Sequence, residues 1–310
     1  MTAPELSVVA PLYRERDSVR ELGRRVASAL QGESWELVLV DDGSDDGQWD
    51  AIRALAAEDP RVRGVRLSRN FGLQAAATAA LAEARGRAVV LMDGDLQDPP
   101  ELIPALLARW REGFEVVLTV KESRPEPLHL RLAFRAFHLL FRALSEVRAE
   151  LESGLFSLLD RRAVDALLAL PERVRYLPGL RAWVGFRTTS LRFAREPRFA
   201  GRSQGVRRLV AMAVDALIAS SSVPLRLIVW LGLALVLLAV AGMSVIVWLR
   251  LFRPDITIVG WASTMTTTIF MGAVQLVFLG VLAEYLGRIY QEVKARPLYL
   301  VSERTCPPGP

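Results

Sequence analysis

Residues 88–92 form an uninterrupted apolar run, Ala-Val-Val-Leu-Met, that ends in two carboxylates one residue apart, Asp93 and Asp95. A short run with no polar face reads as a strand buried on both sides, the kind found in α/β sheets. Asp98 then reads as a helix N-cap, with Pro99 at the first helical position and Glu101 three residues after the cap. The acids therefore sit on the turn between a buried strand and a helix. In open α/β sheets, ligands collect at the carboxyl ends of strands. Two carboxylates there suit Mg²⁺ or Mn²⁺, with phosphate and water completing the shell. A solvated Asp-Gly turn is the plainer reading of the same residues. The flanking strand and capped helix favour the metal-diphosphate site.

The preceding residues repeat the pattern. Residues 6–11, 35–40 and 62–67 are strand candidates, and the second, an apolar one, runs into Asp41-Asp42-Gly43-Ser44. Ser18 and Glu21 read as a capping box opening a helix with Leu22, Val26 and Leu30 on one face. A helix carrying Trp49, Ile52, Leu55 and Ala56 follows the second strand, and an Ala-rich helix follows Asn70-Phe71-Gly72. Residues 115–120 make a fifth strand. Strands alternating with helices predict a parallel, doubly wound sheet with its acid-bearing strand ends on one edge. Further on, residues 155–159 and 186–193 read as strands and 161–170 as a helix.

From residue 128 to 147, Arg131, Arg135 and Arg142 interleave with Leu132, Phe134, Phe137, Phe141 and Leu144. Such a basic amphipathic helix lies on a membrane surface or covers the sheet with its arginines in water; both readings fit. His129 and His138 fall in this segment without an acid or second ligand at helical spacing, so they read as ordinary surface residues. Residues 209–218, apolar behind Arg207 and Arg208, read as an interfacial helix. Of the 39 basic residues only Lys121 and Lys294 are lysine, so abundant arginine is by itself weak evidence for phosphate binding. The lone Cys306 excludes an intrachain disulfide or a cysteine metal site.

At 52% hydrophobic residues the 310-residue chain is rich for a purely soluble protein. Two uncharged stretches account for it, 227–249 and 256–283, each longer than the roughly 20 residues a spanning helix needs. The short link between them predicts a helical hairpin. Arg207, Arg208, Arg226, Arg288, Lys294 and Arg296 flank its outer ends, against Arg250 and Arg253 in the link, so the positive-inside rule puts both termini in the cytosol. Residues 1–6 have no apolar core, so no cleavable signal peptide is expected. The division expected is a cytosolic domain over 1–204, an amphipathic juxtamembrane segment over 205–226, two transmembrane helices within 227–290, and a cytosolic tail over 291–310, disordered from Ser302. The location expected is the inner (plasma) membrane, multi-pass.

Several motifs in this order resemble glycosyltransferase family 2, specifically its polyprenyl-phosphate glycosyltransferases. They are Pro11-Leu12-Tyr13-x-Glu15, Asp41-Asp42-Gly43-Ser44, Arg69-Asn70-Phe71-Gly72, the run from Asp93 to Glu101, Trp183-Val184-Gly185-Phe186, Ala200-Gly201-Arg202-Ser203 and Ser222-Val223-Pro224-Leu225. The resemblance covers nearly the whole chain. It implies a Rossmann-like, nucleotide-sugar-binding domain of GT-A type followed by a two-helix transmembrane hairpin. The implied reaction moves a sugar, with inversion, from a UDP- or GDP-linked donor to a polyprenyl phosphate. Pro11, Tyr13, Glu15, Asp41, Asp42 and Gly94 would line the donor pocket. Asp93, Asp95 and Gln97 would hold the Mg²⁺ or Mn²⁺, the two acids serving catalysis. Lys121, Arg124, Arg131 and Arg202 would meet phosphates. Expected partners are the nucleotide sugar, the lipid phosphate and the membrane, with a homo-oligomer compatible. Nucleic acid is not expected, because no aromatic-basic platform or groove-reading helix is evident.

The chain departs from the family pattern in places. Arg14 stands where Asn is usual, Ala80 where Gly is, Lys121 where Arg is, and Ser203-Gln204-Gly205 where Ser-Lys-Tyr is frequent. Residues 154–161 read Gly-Leu-Phe-Ser-Leu-Leu-Asp-Arg, so Leu155 and Ser157 replace an acid and an arginine. Two explanations fit. One is shifted specificity, with Glu150 or Glu152 replacing the acid. The other is weakened catalysis, leaving a nucleotide-binding membrane scaffold. A glycan synthase acting on a saccharide is a further alternative, although position 106 is Leu where its Gln-x-x-Arg-Trp signature needs Gln.

Overall fold

The apolar runs become strands of one sheet in a computed structural model, which describes residues 4–121, 153–173, 175–193, 223–252 and 260–305. In chain order the elements are β1 (Leu6–Leu12), α1 (Arg16–Ala29), β2 (Trp35–Asp41), α2 (Gln48–Glu58), β3 (Val62–Leu67), α3 (Leu73–Glu83), β4 (Ala88–Leu91), α4 (Ile103–Arg111), β5 (Val116–Lys121) and β6 (Ser153–Asp160). They continue with α5 (Arg161–Ala169), α6 (Leu177–Trp183), β7 (Thr188–Phe193), α7 (Val223–Phe252), α8 (Trp261–Lys294) and β8 (Val301–Arg304).

The eight strands lie in the order β7-β5-β6-β4-β1-β2-β3-β8. Pairing is parallel from β4 through β1 and β2 to β3. The all-parallel expectation fails at two places. β6 inserts antiparallel between β4 and β5, and β8 pairs antiparallel with β3. β6 can take this slot because its side chains are apolar on both faces. Phe156 and Leu158 join one side of the core while Leu155 and Leu159 join the other.

Period-two alternation sorts every central strand in the same way. Val8, Leu37 and Leu39 face α1, α2 and α4 through Leu22, Val26, Ile52 and Leu106. Val9, Val38 and Val40 face α3 and α5 through Ala76, Ala77, Ala80 and Val164. The alanines of α3 let that helix lie close to the sheet.

Two helix starts differ from expectation. α1 begins at Arg16, and Ser18 Oγ donates to the Glu15 carbonyl at 2.8 Å instead of forming a capping box. Asp98 does not cap: Pro99 occupies the cap position with extended backbone, and a 3₁₀ turn over Pro100–Leu102 leads into α4. Glu101 instead pairs with Arg25 at 2.6 Å. Pro100 removes one of the two backbone N–H groups that a side chain at position 98 could cap.

The C-terminal tail is the largest correction. Residues 301–304 are not disordered but form the edge strand on β3, with Ser68 N donating to Leu300 O and Thr305 N to Gly64 O. Without β8 the outer edge of β3 would present unpaired backbone groups. Gly64 makes room for the closure: a Cβ there would lie 2.9 Å from Thr305 Cγ2. Tyr299 and Val301 pack against the α3–α5 side of the core.

α7 and α8 have 30 and 34 residues and expose large apolar side chains such as Trp230, Leu238, Ile269 and Leu276. The first uncharged stretch is thus helical and the second is helical from Trp261, with α8 running on past residue 283 to Lys294. Among the described residues one helical stretch, Thr264–Lys294, is long and apolar enough to cross a membrane; Trp230–Gly242 is a shorter apolar stretch. The end of α8 docks on the sheet domain, where Glu292 accepts from Arg173 N at 2.8 Å. The expected basic helix over 128–147 and interfacial helix over 209–218 lie outside the described residues.

Candidate active site

β1, β2 and β4 are adjacent and parallel, in register Leu12 to Asp41 and Val9 to Leu91, so their carboxyl ends share one sheet edge. Three motifs meet there. Asp93 and Asp95 are half-buried on the turn leaving β4. Between them Gly94 lets the turn lie close to β1: a Cβ there would displace the Leu12 side chain and sit 3.4 Å from Pro11 O. The turn closes with Gln97 N donating to Asp95 Oδ1 at 3.1 Å, while Leu96 takes φ 58°. This turn carries Asp93, Asp95 and Gln97, and its Gly94 backbone lies against Leu12 and Pro11 at the end of β1.

Asp41 and Asp42 are buried. Asp41 Oδ1 accepts from Ser44 N at 3.1 Å and from Gln48 Nε2 at 2.6 Å. Gln48 Oε1 in turn accepts from Glu15 N at 2.8 Å, and Ser44 Oγ from Arg14 N at 3.0 Å. Asp42 reaches the third motif: its two oxygens accept from Phe71 N at 2.7 Å and Gly72 N at 2.9 Å. Gly43, with φ 67°, lies flat on the backbone of Arg69. Both acids therefore tie together the three loops that leave β1, β2 and β3. Tyr13 stays 42% exposed at the rim, with the Arg14 guanidinium 5.3 Å from its ring centre and paired to Asp45 at 2.8 Å.

Burial pushes both carboxyls above their ordinary value of 3.8, opposed for Asp41 by bonds from Ser44 and the charge of Arg66, and for Asp42 by the two backbone donors. A carboxyl raised in this way binds more protons folded than unfolded between its two values, so folding is favoured as pH falls through that window. The stability of the native chain relative to Asp42→Asn is therefore expected to rise as pH is lowered from neutrality toward 3.8. Thermal melts of the two proteins across that range check this. A pH-independent difference would show that Asp42 titrates normally.

Lys121 ends β5 in register with Phe193, and its strand direction puts it on the same edge as the acids. Arg124, Arg131, Arg202, Glu150 and Glu152 lie outside the described residues. Leu155 is buried in the apolar core and Ser157 is fully buried. Ser157 Oγ accepts from Arg181 Nη1 at 2.6 Å, and Arg181 Nη2 donates to Gly154 O at 3.1 Å. Sequence reasoning missed this guanidinium. The available signal was a single charged residue, Arg181, within the otherwise uncharged α6.

Among the described residues no three His, Cys, Asp or Glu side chains gather as a ready metal cage. Asp93 and Asp95 instead supply two half-buried carboxylates on the turn where β4 ends. That is the donor set a Mg²⁺ or Mn²⁺ ion takes when diphosphate oxygens fill its remaining positions, so the residues fit such an ion.

The sequence is similar to those of known proteins along most of its length. Residues 7–168 match the model of Glycosyl transferase family 2. The chain is 40% identical over 303 residues to an uncharacterized glycosyltransferase of Synechocystis, covering 96% of this chain and 95% of that one. It is 35% identical over 303 residues to an uncharacterized glycosyltransferase of Bacillus subtilis, covering 96% and 94%. It is 34% identical over 305 residues to the bactoprenol glucosyl transferase of Shigella phage SfX, covering 97% and 99%. The α/β domain with its acid-lined strand ends is accordingly GT-A-like, and the chain belongs to glycosyl transferase family 2, acting as a glycosyltransferase.

Proposed function

We propose that the chain transfers a sugar from a UDP- or GDP-linked donor to a polyprenyl phosphate at a membrane surface, inverting the anomeric carbon. The observation that carries this reading is the Asp93–Asp95 turn, held against Pro11 at the edge where β1, β2 and β4 end. Pro11, Tyr13, Glu15 and Gly94 line the base and ribose pocket, and Asp41 and Asp42 hold its loops. Asp93, Asp95 and Gln97 hold the divalent ion. When bound, that ion neutralises charge developing on the departing diphosphate. Lys121, Arg124, Arg131 and Arg202 bind donor or acceptor phosphates.

The acceptor assignment is supported by the end-to-end match to a protein named for bactoprenol glucosyl transfer. It also suits the buried Leu155. A lipid phosphate is already anionic at neutral pH and needs little help from a general base, unlike a sugar hydroxyl. What it needs is delivery to the donor in the right orientation.

The membrane reading is a hairpin of α7 and α8. β8 supports it, because it follows α8 and pairs with the sheet that precedes α7. If α8 crossed alone, β8 would emerge on the opposite side from β3. An even number of crossings returns it, and among the described residues α7 is the apolar helix available for the other. Both termini then lie with the catalytic domain on the cytosolic face of the inner membrane.

The test uses the full chain in detergent, titrated with UDP and GDP with and without Mn²⁺, followed by single-turnover transfer to a polyprenyl phosphate. Metal-dependent binding of one nucleotide and transfer from its sugar are expected. Binding without transfer from any sugar donor would favour the scaffold reading, and transfer only to a saccharide would replace the lipid acceptor.

A further inference from the structure

The strand that follows the membrane helix is wired to the donor cleft. Glu303 on β8 accepts from Trp49 Nε1 at 3.1 Å and from Arg66 Nη1 at 3.1 Å, although Arg66 is 237 positions away along the chain. The same Arg66 brings its Nε to 3.6 Å from Asp41 Oδ2. Asp41 is fully buried, so its carboxylate depends on nearby donors and on a counter-charge. Its other oxygen carries Ser44 and Gln48, which in turn carry the backbone of Arg14 and Glu15.

We propose that Glu303 is a positioning residue for the donor: it aims Arg66 at Asp41, and Asp41 sets the loop that lines the base pocket. The proposal rests on the donor site assigned above. Arg66 is partly exposed, its side chain 35% accessible. Glu303 fixes its free end by a charge-assisted bond, and Trp49 and the β8–β3 ladder fix Glu303. Removing Glu303 lets the guanidinium swing toward water. Asp41 then loses its counter-charge, and the Arg14–Glu15 loop loses its rigid support. Because β8 is continuous with α8 through residues 295–300, the seating of the membrane helix and the shape of the donor cleft are one mechanical unit.

Steady-state kinetics on the full chain test this, with donor and acceptor varied separately. Glu303→Ala is expected to raise the donor KM about tenfold, the scale of one charge-assisted hydrogen bond, with kcat and the acceptor KM unchanged. Arg66→Lys is expected to do the same, because a point-like ammonium cannot bridge two carboxylates as the planar guanidinium does. Arg304→Ala is the control: it breaks the 2.7 Å pair that this β8 residue makes with Glu83 but touches nothing in the Asp41 network. It is expected to lower Tm as Glu303→Ala does while leaving the donor KM unchanged. Equal donor KM shifts in Glu303→Ala and Arg304→Ala would reduce β8 to a structural edge and overturn the proposal. So would an unchanged KM in Glu303→Ala beside a saturable native enzyme. Failure of the native enzyme to bind nucleotide would instead overturn the donor site itself.

Discussion

Asp95→Ala is expected to abolish metal-dependent nucleotide binding and to lower kcat by at least about 10³-fold, since metal stabilisation of a leaving group is worth several kcal/mol and each 1.4 kcal/mol is a decade. The loss should exceed that of an ordinary binding residue for two reasons. Asp95 is one of the two carboxylates proposed to hold the ion, so half the charge they offer it disappears. Its Oδ1 also accepts from Gln97 N at 3.1 Å, so the turn that presents Gln97 loosens at the same time. Nucleotide titrations with and without Mn²⁺, paired with single-turnover transfer, measure both effects. Asp95→Asn separates them, because it keeps an oxygen for the Gln97 N–H and removes the charge. Full transfer activity in either variant would move the metal away from the β4 turn.

Asp42→Ala is expected to cost about 2–3 kcal/mol of stability, lowering Tm by roughly 5–10 °C, and to weaken donor binding. The side chain is almost fully buried and gives both oxygens to backbone donors, Phe71 N and Gly72 N, at the turn that starts α3. Alanine leaves those two N–H groups without their acceptors. Part of the loss is offset, because the cost of burying the charge that raises this carboxyl's pKa disappears too. Asp42→Asn, with one acceptor oxygen, should fall between. Thermal unfolding of the full chain checks the order native, Asn, Ala. An Ala variant as stable as the native chain would show that the Asp42 bonds do not hold the loop.

Local signals carried much of this protein. The apolar runs at β1, β2 and β4 are buried within a central sheet, where such runs leave water on both faces. Asp93 and Asp95 were legible because the run stops at a turn where carboxylates follow directly. Gly94 was legible only as part of a motif; that a Cβ there would strike Leu12 is a fact of how β1 and β4 lie side by side. The direction of β6 was not legible. A strand apolar on both faces packs equally well either way up, and the long connection from β5 permits both.

The roles of Asp41 and Asp42 show the same boundary. Their position after β2 marked them as site residues, yet their oxygens are committed to Ser44, Gln48, Phe71 and Gly72, partners chosen by loops that meet only in the fold. Arg181 meets Ser157 across 24 positions, and no periodicity marks such a pair. By itself, then, the amino-acid order determined the buried strands, the acid pair and the long apolar helices, because each depends on neighbours within a few residues. Only the tertiary structure decided that Val301–Arg304 completes the sheet and that Glu303 reaches Arg66, because strand pairing is set by which edge is left open and not by anything in the four residues that fill it.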